Sequence, residues 1–244
     1  MRRSPIGRAA EQLGRPALLA HRGLHGDLKE NSLAALAAVA GSGLDGVEFD
    51  VRFSADGVPF ILHDATLQRT YGDPRAASEL SSETLSALGV PSLREALAVL
   101  APDLLLDVEV KEAPHDELFN LIRELRGEGA ERLLFSSFDQ EVLREIHERA
   151  PEWPLWLNVE QATPILLDQA LALGVSGLSV EKGLLATDLA REVTAAGLEL
   201  AAWTLRSRAD ESTSRILGSL PPAWKVRRSS ARPSAREGAK VAQW

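Results

Sequence analysis

The stretch GVEFDVRFSADGVPFILHD, residues 46–64, decides how the rest of the chain is interpreted. Apolar and acidic residues alternate in its first half, which is typical of a β-strand with one buried face. Asp56 and Gly57 form a strong signal for a two-residue hairpin turn. With such a turn, Asp50 lies opposite His63, and Glu48 shares the strand face of Asp50. The hairpin therefore predicts a site with two carboxylates and an imidazole.

The size and composition of the chain fit one globular domain. It has 244 residues, 45% hydrophobic and 25% charged, and a single α/β barrel falls within this length. There is no cysteine, which excludes a disulfide framework and thiolate chemistry. The N-terminus is basic but lacks the apolar core of a signal peptide, and apolar runs such as residues 33–40 are too short to span a bilayer. We therefore expect a cytoplasmic protein.

Acidic residues dominate the body of the chain. The net charge of −8 divides into −14 over residues 1–205 and +6 over residues 206–244. An acidic body argues against a nucleic-acid partner, and clustered carboxylates suit a divalent cation. No stretch has the pattern expected for stable membrane association, and nothing in the sequence fixes an oligomeric state.

Short apolar strands alternate with helices of about ten residues. Beyond the hairpin, the predicted strands are 17–20, 104–111, 132–135, 154–159, 177–181 and 198–204. The predicted helices run from Ser32 to about 41–43, over 82–88, 93–100, 116–126 and 140–149, from an N-cap at Thr163 to 173, over 187–196, and from Ser207 to about 217. Such βα alternation predicts a largely parallel sheet.

Polar residues collect where these strands end, at His21-Arg22, Glu48/Asp50, Glu109/Lys111, Ser136/Ser137, Glu160, Glu181 and Trp203. Functional groups at strand C-termini are the arrangement of a TIM-like (β/α)8 barrel. A doubly wound open sheet is the competing fold, but the glycine-rich loop that usually follows its first strand is absent. The sequence therefore predicts a barrel with a β-hairpin after the second strand.

Glu48, Asp50 and Glu109 form a candidate metal site. Three carboxylates at one mouth of a sheet repel one another unless a cation compensates them, and Mg²⁺ or Ca²⁺ takes such oxygen ligands. Any one of them alone is more simply explained as a solvated acid at a strand end. Their combination with His63 favours the metal site.

Two histidines and two cations complete the candidate site. His21 and His63 end strand-like runs, and imidazole suits proton transfer near neutral pH. Arg22 and Lys111 could hold a phosphate, or could simply pair with the same carboxylates. Trp203 is either a core or rim aromatic or a wall of the substrate pocket. The remaining histidines are interpreted as structural, namely His25, His115 and His147.

Nine short motifs follow one another in an order and spacing that match a known family. They are HRG (21–23), EN (30–31), ExDV (48–51), DGxP (56–59), HDxxLxRT (63–70), PSLxExL (91–97), ExK (109–111), SSF (136–138) and WT (203–204). Over about residues 17–205 the chain resembles the glycerophosphodiester phosphodiesterase family, in its short, bacterial-type cytoplasmic form.

The resemblance implies a TIM-like barrel of lipid and glycerol metabolism that hydrolyses glycerophosphodiesters to an alcohol and sn-glycerol 3-phosphate with a divalent metal. By this likeness, the metal ligands are Glu48, Asp50 and Glu109, the acid/base pair is His21 and His63, the phosphate contacts are Arg22 and Lys111, and Glu30 supports the metal site. One histidine would deprotonate the nucleophile, either the glycerol 2-hydroxyl or a water, and the other would protonate the leaving alkoxide. Which histidine has which role stays open.

The C-terminus departs from the family pattern. After Trp203-Thr204 the usual closing strand is missing, and an arginine- and serine-rich segment follows. We therefore expect three parts: an N-terminal extension (1–16), a barrel domain (17–217) with an atypical or missing last strand, and a basic, disordered tail (218–244). A reading-frame change near residues 210–217 is the favoured explanation; a native tail and a divergent closing unit are the others.

Two other function classes stay open at this point. The first is a degenerate, non-catalytic barrel that cannot hold its site residues in register. The second is another metal-assisted barrel enzyme, such as an enolising lyase, which has less need of Arg22 and Lys111.

Overall fold

The computed structural model describes residues 3–186, 188–205 and 224–228. The strands in these residues are β1 (Ala17–His21), β2 (Gly46–Phe53), β3 (Pro59–Ile61), β4 (Leu105–Val110), β5 (Leu133–Ser137), β6 (Leu155–Val159), β7 (Gly177–Glu181), β8 (Glu199–Leu205) and β9 (Trp224–Arg228). The α-helices are α1 (Pro5–Leu13), α2 (Leu33–Ala37), α3 (Gln68–Tyr71), α4 (Ser82–Ala87), α5 (Leu93–Val99), α6 (Asp116–Arg126), α7 (Gln140–Arg149), α8 (Leu166–Ala172) and α9 (Leu189–Ala195). Short 3₁₀ helices cover Ala77–Glu79 and Lys182–Ala186.

The parallel strands form a nearly closed barrel surrounded by helices, which confirms the predicted TIM-like (β/α)8 architecture. Around the barrel the order is β1, β2, β4, β5, β6, β7, β8 and β9, and β3 pairs with β2 in antiparallel fashion. The barrel strands are buried on both faces, which explains their nearly continuous apolar character. The strand C-termini meet at one end, called the mouth below; the opposite end is called the base.

The hairpin between β2 and β3 is one residue away from its predicted register. Val51 lies opposite Ile61, so residues 54–58 form the connection instead of a two-residue turn. Ser54 stabilises this longer loop. Its backbone N–H donates to the Val58 carbonyl, and its hydroxyl accepts from the Val58 N–H, each at 3.0 Å.

This register changes the residue that faces Asp50. The Leu62 N–H donates to the Asp50 carbonyl at 3.0 Å, so Leu62 and not His63 lies opposite Asp50. The predicted direct pairing of Asp50 with His63 was wrong, because a one-residue shift of register moves each side chain to a new neighbour. His63 instead follows β3 in the loop that leads to α3.

Two helices differ most from their predicted bounds. α2 begins after the predicted N-cap, Ser32, but ends at Ala37, before the glycines that were expected to terminate it. α8 has its N-cap at Ile165 and not at Thr163, because the Thr163 carbonyl closes a turn with the Leu166 N–H at 3.1 Å. The helix predicted over residues 207–217 lies outside the described residues.

The N-terminal segment closes the base of the barrel. The Ser4 N–H donates to Glu199 Oε1 at 2.9 Å, and Trp156 Nε1 donates to Glu199 Oε2 at 3.0 Å. Burial raises the pKa of Glu199, which lies at the start of β8. Ile6 of α1 is 1% exposed and packs in an apolar cluster, called the base cluster, with Ala17, Leu19, Leu105, Leu134, Trp156 and Ala201.

β9 falls within the segment predicted to be a disordered tail. Its backbone pairs in parallel with β1 and with β8, and the pairing with β8 is irregular between Ala202 and Leu205. The last strand is therefore present and atypical, since it is built from the sequence WKVRR. The prediction of a tail depended on the absence of an apolar side-chain pattern. Backbone groups at a strand edge can pair without such a pattern. The rest of residues 206–244 lies outside the described residues.

None of the helices in the described residues is long and apolar enough to cross a membrane.

Gly7 tests the closure of the base. A Cβ at this position would lie 1.9 Å from Glu199 Oε1, a carboxylate already held by Ser4 and Trp156. We expect Gly7→Ala to lower the free energy of unfolding by about 1–3 kcal/mol. Gly129→Ala is the matched control, because an added Cβ there meets nothing within 4 Å. Thermal unfolding measures both, and equal Tm values for the two variants would contradict this account of the base.

Two truncations test the contribution of β9. Deletion of residues 219–244 removes the strand that pairs with both β8 and β1, so the two barrel edges lose their partner and the Tm should fall. Deletion of residues 229–244 keeps β9 and serves as the control. An unchanged Tm in the longer deletion would show that β9 does not stabilise the barrel.

Candidate active site

Three buried carboxylates converge at the mouth of the barrel. Strand register places Asp50 on β2 beside Glu109 on β4, and Glu48 lies on the same face of β2 as Asp50. Ligand oxygens of the three side chains lie within 4.8 Å of one another, and none of the three residues is more than 2% exposed. The structure therefore brings together the three residues that the sequence singled out.

Two cations lie against these carboxylates. Lys111 Nζ lies 2.9 Å from Asp50 Oδ1 and also forms an ion pair with Glu109. Arg22 Nε lies 3.3 Å from Asp50 Oδ2. Both predicted phosphate contacts are thus at the site, paired with its acids.

These charges determine the ionisation of the cluster. Burial by itself would raise the pKa of Asp50, but the charges of Lys111 and Arg22 outweigh it and hold the pKa well below its usual range. Burial would likewise lower the pKa of Lys111, yet the neighbouring carboxylates of Asp50 and Glu109 raise it. At neutral pH Asp50 is therefore a carboxylate and Lys111 an ammonium group.

His21 lies beside Glu48 at the end of β1. Its Nε2 is 3.8 Å from Glu48 Oε2. The next residue, Arg22, adopts a left-handed conformation with φ 56°, and its backbone N–H donates to the same Glu48 oxygen at 3.0 Å. This turn directs the chain out of the barrel immediately after the histidine.

His63 belongs to a chain of alternating charges that leads back to Arg22. Its Nδ1 lies 2.6 Å from Asp64 Oδ1, and Asp64 Oδ2 accepts from Arg69 Nε at 2.5 Å. Arg69 Nη2 donates to Glu30 Oε1 at 2.6 Å, and Glu30 Oε1 accepts from Arg22 Nη1 at 3.0 Å. Glu30 therefore contacts the site through Arg22 and is not part of the carboxylate cluster.

The two acids in this series of alternating charges, Asp64 and Glu30, have lowered pKa values. The hydrogen bond from Arg69 is the main reason that the pKa of Asp64 falls to about 2, although burial acts in the opposite direction. Burial would raise the pKa of Glu30, but its contacts with Arg69 and Arg22 lower it. Both groups are therefore carboxylates at neutral pH, and the Asp64 carboxylate accepts a hydrogen bond from His63 Nδ1 when that nitrogen carries a hydrogen.

Trp203 and Phe138 line one side of the mouth. Their rings meet edge to face with centroids 5.6 Å apart, and Trp203 Nε1 donates to the Ser179 carbonyl at 3.0 Å. Phe138 is 41% exposed, and Lys111 Nζ lies 5.9 Å from its ring centroid. We call Trp203 and Phe138 the aromatic wall.

Four residues with contacts at the site were absent from the predicted set: Asn31, Asp64, Arg69 and Phe138. Asn31 is buried with φ 55°, and its Nδ2 donates to Asp50 Oδ2 at 2.7 Å. All four lie inside the short motifs of the sequence, which was the available signal. Spacing along the chain could not reveal their contacts, because each forms across a loop.

None of the other three histidines belongs to the carboxylate cluster found in the described residues. His25 Nδ1 lies 3.1 Å from the Gly23 carbonyl, the His115 ring packs 5.0 Å from that of Phe53, and His147 is in the last turn of α7.

The carboxylate cluster fits a divalent cation. Its ligand atoms are all oxygens, which hard cations such as Mg²⁺ and Ca²⁺ prefer. Asp50 and Glu48 are also oriented by hydrogen bonds from Asn31 and from the Arg22 backbone, as metal-binding carboxylates commonly are.

A family model described as the glycerophosphoryl diester phosphodiesterase family matches residues 21–219. The chain belongs to this family. The predicted resemblance is thereby confirmed, and as a glycerophosphoryl diester phosphodiesterase family member the protein is a phosphoric diester hydrolase.

Curated relatives agree with this family. The chain is 27% identical to glycerophosphodiester phosphodiesterase 1 of Bos taurus over 247 residues, which cover 81% of this chain and 74% of the bovine protein. It is 28% identical to the glycerophosphodiester phosphodiesterase of Caldanaerobacter subterraneus over 160 residues, 57% of this chain and 65% of that protein.

Solved structures of family members share the fold. A phosphodiesterase of Oleispira antarctica in complex with the product sn-glycerol-3-phosphate has a TM-score of 0.73 at 24% identity and covers 91% of this chain and 96% of its own. The glycerophosphodiester phosphodiesterase of Thermotoga maritima also has a TM-score of 0.73, at 22% identity, covering 88% of this chain and 94% of its own.

The position of Asp64 between His63 and Arg69 predicts how stability depends on pH. The pKa of Asp64 is about 2 in the folded protein, below its usual value of 3.8, so its carboxylate stabilises the fold above about pH 4 and this contribution disappears as the pH falls towards 2. Asp64→Asn should reduce the free energy of unfolding by about 1 kcal/mol at pH 7, since the group is partly solvated. The deficit should shrink as the pH is lowered, as measured by calorimetry. A surface control is Asp103→Asn, and a deficit independent of pH would contradict the assignment.

Proposed function

We propose that this protein hydrolyses glycerophosphodiesters to an alcohol and sn-glycerol 3-phosphate. The observation that carries the proposal is the convergence of three buried carboxylates with His21 and two cations at the barrel mouth. His63 is connected to one of these cations, Arg22, through Asp64, Arg69 and Glu30. The names of the curated relatives and the product bound to the Oleispira antarctica phosphodiesterase support the same substrate class.

Glu48, Asp50 and Glu109 would hold a divalent metal ion, Mg²⁺ or Ca²⁺. When bound, such an ion supplies Lewis-acid stabilisation of negative charge on the phosphoryl oxygens. The mutual repulsion of three carboxylates in one buried cluster supports this role, because a bound cation would offset it.

Arg22 and Lys111 would bind the phosphodiester anion. A guanidinium can donate two parallel hydrogen bonds to phosphate oxygens, and an ammonium acts as a point charge. Arg22 is held by Glu30 and Asp50, so its side chain is oriented before the substrate arrives. Preorganised donors of this kind stabilise the charge that develops on the equatorial oxygens of the transition state.

His21 and His63 would transfer the protons. The contact of His63 Nδ1 with the Asp64 carboxylate fixes the ring and leaves Nε2 for the substrate. One histidine takes the proton of the nucleophile, the glycerol 2-hydroxyl or a water, and the other protonates the leaving alkoxide. Trp203, in the aromatic wall, would contact the carbon skeleton of the substrate.

Release of sn-glycerol 3-phosphate from glycerophosphocholine or glycerophosphoethanolamine tests the proposal. Activity should be lost with a chelator and restored by Mg²⁺ or Ca²⁺. His21→Ala and His63→Ala should each lower kcat by about 10²- to 10⁴-fold, the usual contribution of general acid–base catalysis. His147→Ala is the control for loss of a histidine. Full activity in either His21→Ala or His63→Ala would contradict the acid/base assignment. Inactivity of the metal-loaded wild type would favour a degenerate barrel.

The leaving group can separate the two histidines. A p-nitrophenolate leaves without protonation, so the variant that lacks the general acid should recover most of its kcat on a glycerophosphodiester with that leaving group. The variant that lacks the general base should remain slow. Equal losses of both variants on both substrates would contradict a division of labour.

A further inference from the structure

Two polar side chains inside the barrel have no hydrogen-bond partner among the described residues. They are Asn158, whose Oδ1 and Nδ2 are both unpartnered, and Ser179, whose Oγ is. Asn158 is 3% exposed and Ser179 is 0% exposed. Buried polar groups in native proteins are nearly always hydrogen-bonded, so such groups call for a specific explanation.

Both side chains point into the barrel. Asn158 is two residues beyond Trp156 on β6 and therefore shares its face, and Trp156 belongs to the base cluster. Ser179 is two residues beyond Gly177 on β7, where an added Cβ would lie 2.9 Å from Trp156 Nε1. The register pairs Asn158 with Ser179 across the two strands.

The pair lies between the base cluster and the mouth. Two residues along a strand span roughly 7 Å, so Asn158 is about that far above Trp156 in the direction of the mouth. On the mouth side, the Ser179 carbonyl accepts from the indole of Trp203. The unpartnered groups therefore lie directly below the aromatic wall of the candidate active site.

The chemistry of the pair selects a neutral ligand group. A carboxamide offers donors and an acceptor, and a hydroxyl offers one donor and an acceptor role. Neither carries a charge to hold a phosphate, which Arg22 and Lys111 attract at the mouth. A hydroxyl group, which both donates and accepts, can satisfy Asn158 and Ser179 together.

We propose that Asn158 and Ser179 form a subsite for the sn-1 hydroxyl of the glycerol part of the substrate. The inference rests on the proposed function, because it takes the phosphate to be bound at the mouth. The sn-1 hydroxyl is the substrate oxygen furthest from phosphorus on the glycerol side, and it reaches deepest into the barrel. The subsite selects substrates whose sn-1 position is free and rejects those that carry an acyl chain there.

Binding of sn-glycerol 3-phosphate by calorimetry, compared with propane-1,2-diol 1-phosphate, tests the subsite. The second ligand lacks only the sn-1 hydroxyl. The wild type should bind sn-glycerol 3-phosphate about 10-fold more tightly, as expected for two hydrogen bonds. Asn158→Leu, which keeps the number and branching of heavy atoms, and Ser179→Ala should each reduce this ratio to about 3-fold or less.

Thermal unfolding without ligand separates this role from a structural one. Because the removed polar atoms have no partner in the protein, the Tm of Asn158→Leu and of Ser179→Ala should be unchanged or higher. Ser137→Ala is the matched control. Its buried hydroxyl donates to the Val110 carbonyl at 2.7 Å, so its Tm should fall while the affinity ratio stays that of the wild type.

The outcomes distinguish the subsite from the proposed function. A wild type that releases sn-glycerol 3-phosphate from glycerophosphocholine but does not discriminate between the two ligands refutes the subsite alone. Unchanged affinity ratios in both variants refute the subsite as well. A buried water would then be the hydrogen-bond partner of Asn158 and Ser179. Efficient hydrolysis of the phosphodiester of an sn-1-acylated lysophospholipid would also overturn the subsite. A wild type without any phosphodiesterase activity refutes the proposed function first. If Asn158→Leu does not fold, the affinity ratio of Ser179→Ala alone tests the subsite.

Discussion

Repulsion among Glu48, Asp50 and Glu109 is the constraint on which the mouth of the barrel depends. Parallel register on adjacent strands forces two of these carboxylates together, and burial removes the water that would screen them. The surrounding residues form ion pairs that compensate this negative charge. Lys111 and Arg22 pair with the cluster, Glu30 balances Arg22, and Arg69 in turn balances Glu30. The charged side chains of the mouth thus form one connected system.

The interior of the barrel changes character from base to mouth. The base cluster is apolar and closed by α1. Above it, the Ser136 hydroxyl donates to Asp107 at 2.7 Å, and the Asn158–Ser179 pair lies on the next two strands, β6 and β7. Apolar packing fills the base, whereas buried polar side chains line the interior above it. This division is the usual arrangement in barrels whose strand C-termini carry the chemistry.

The sequence was sufficient for the barrel and for the identity of the cluster, and insufficient for the contacts between loops. Strand periodicity predicted β4 and β7 closely, because their apolar runs are bounded by clear turn signals. The hairpin register failed because Ser54 closes a longer loop than the Asp-Gly signal implied. Asp64 and Arg69 were not recognised as partners of His63 and Glu30, since residue spacing does not describe how a loop folds back. β9 was not predicted as a strand, because the sequence WKVRR gives no strand pattern.

The bond between Ser4 and Glu199 has a consequence for how the molecule is made. The two residues are 195 positions apart, so α1 cannot reach its final place until β8 has been synthesised. Contacts with such large sequence separation slow folding, and the apolar face of α1 stays uncovered in the meantime. α1 is thus made before the barrel strands but packs only after β8, and a nascent chain with such an uncovered helix is exposed to misassembly.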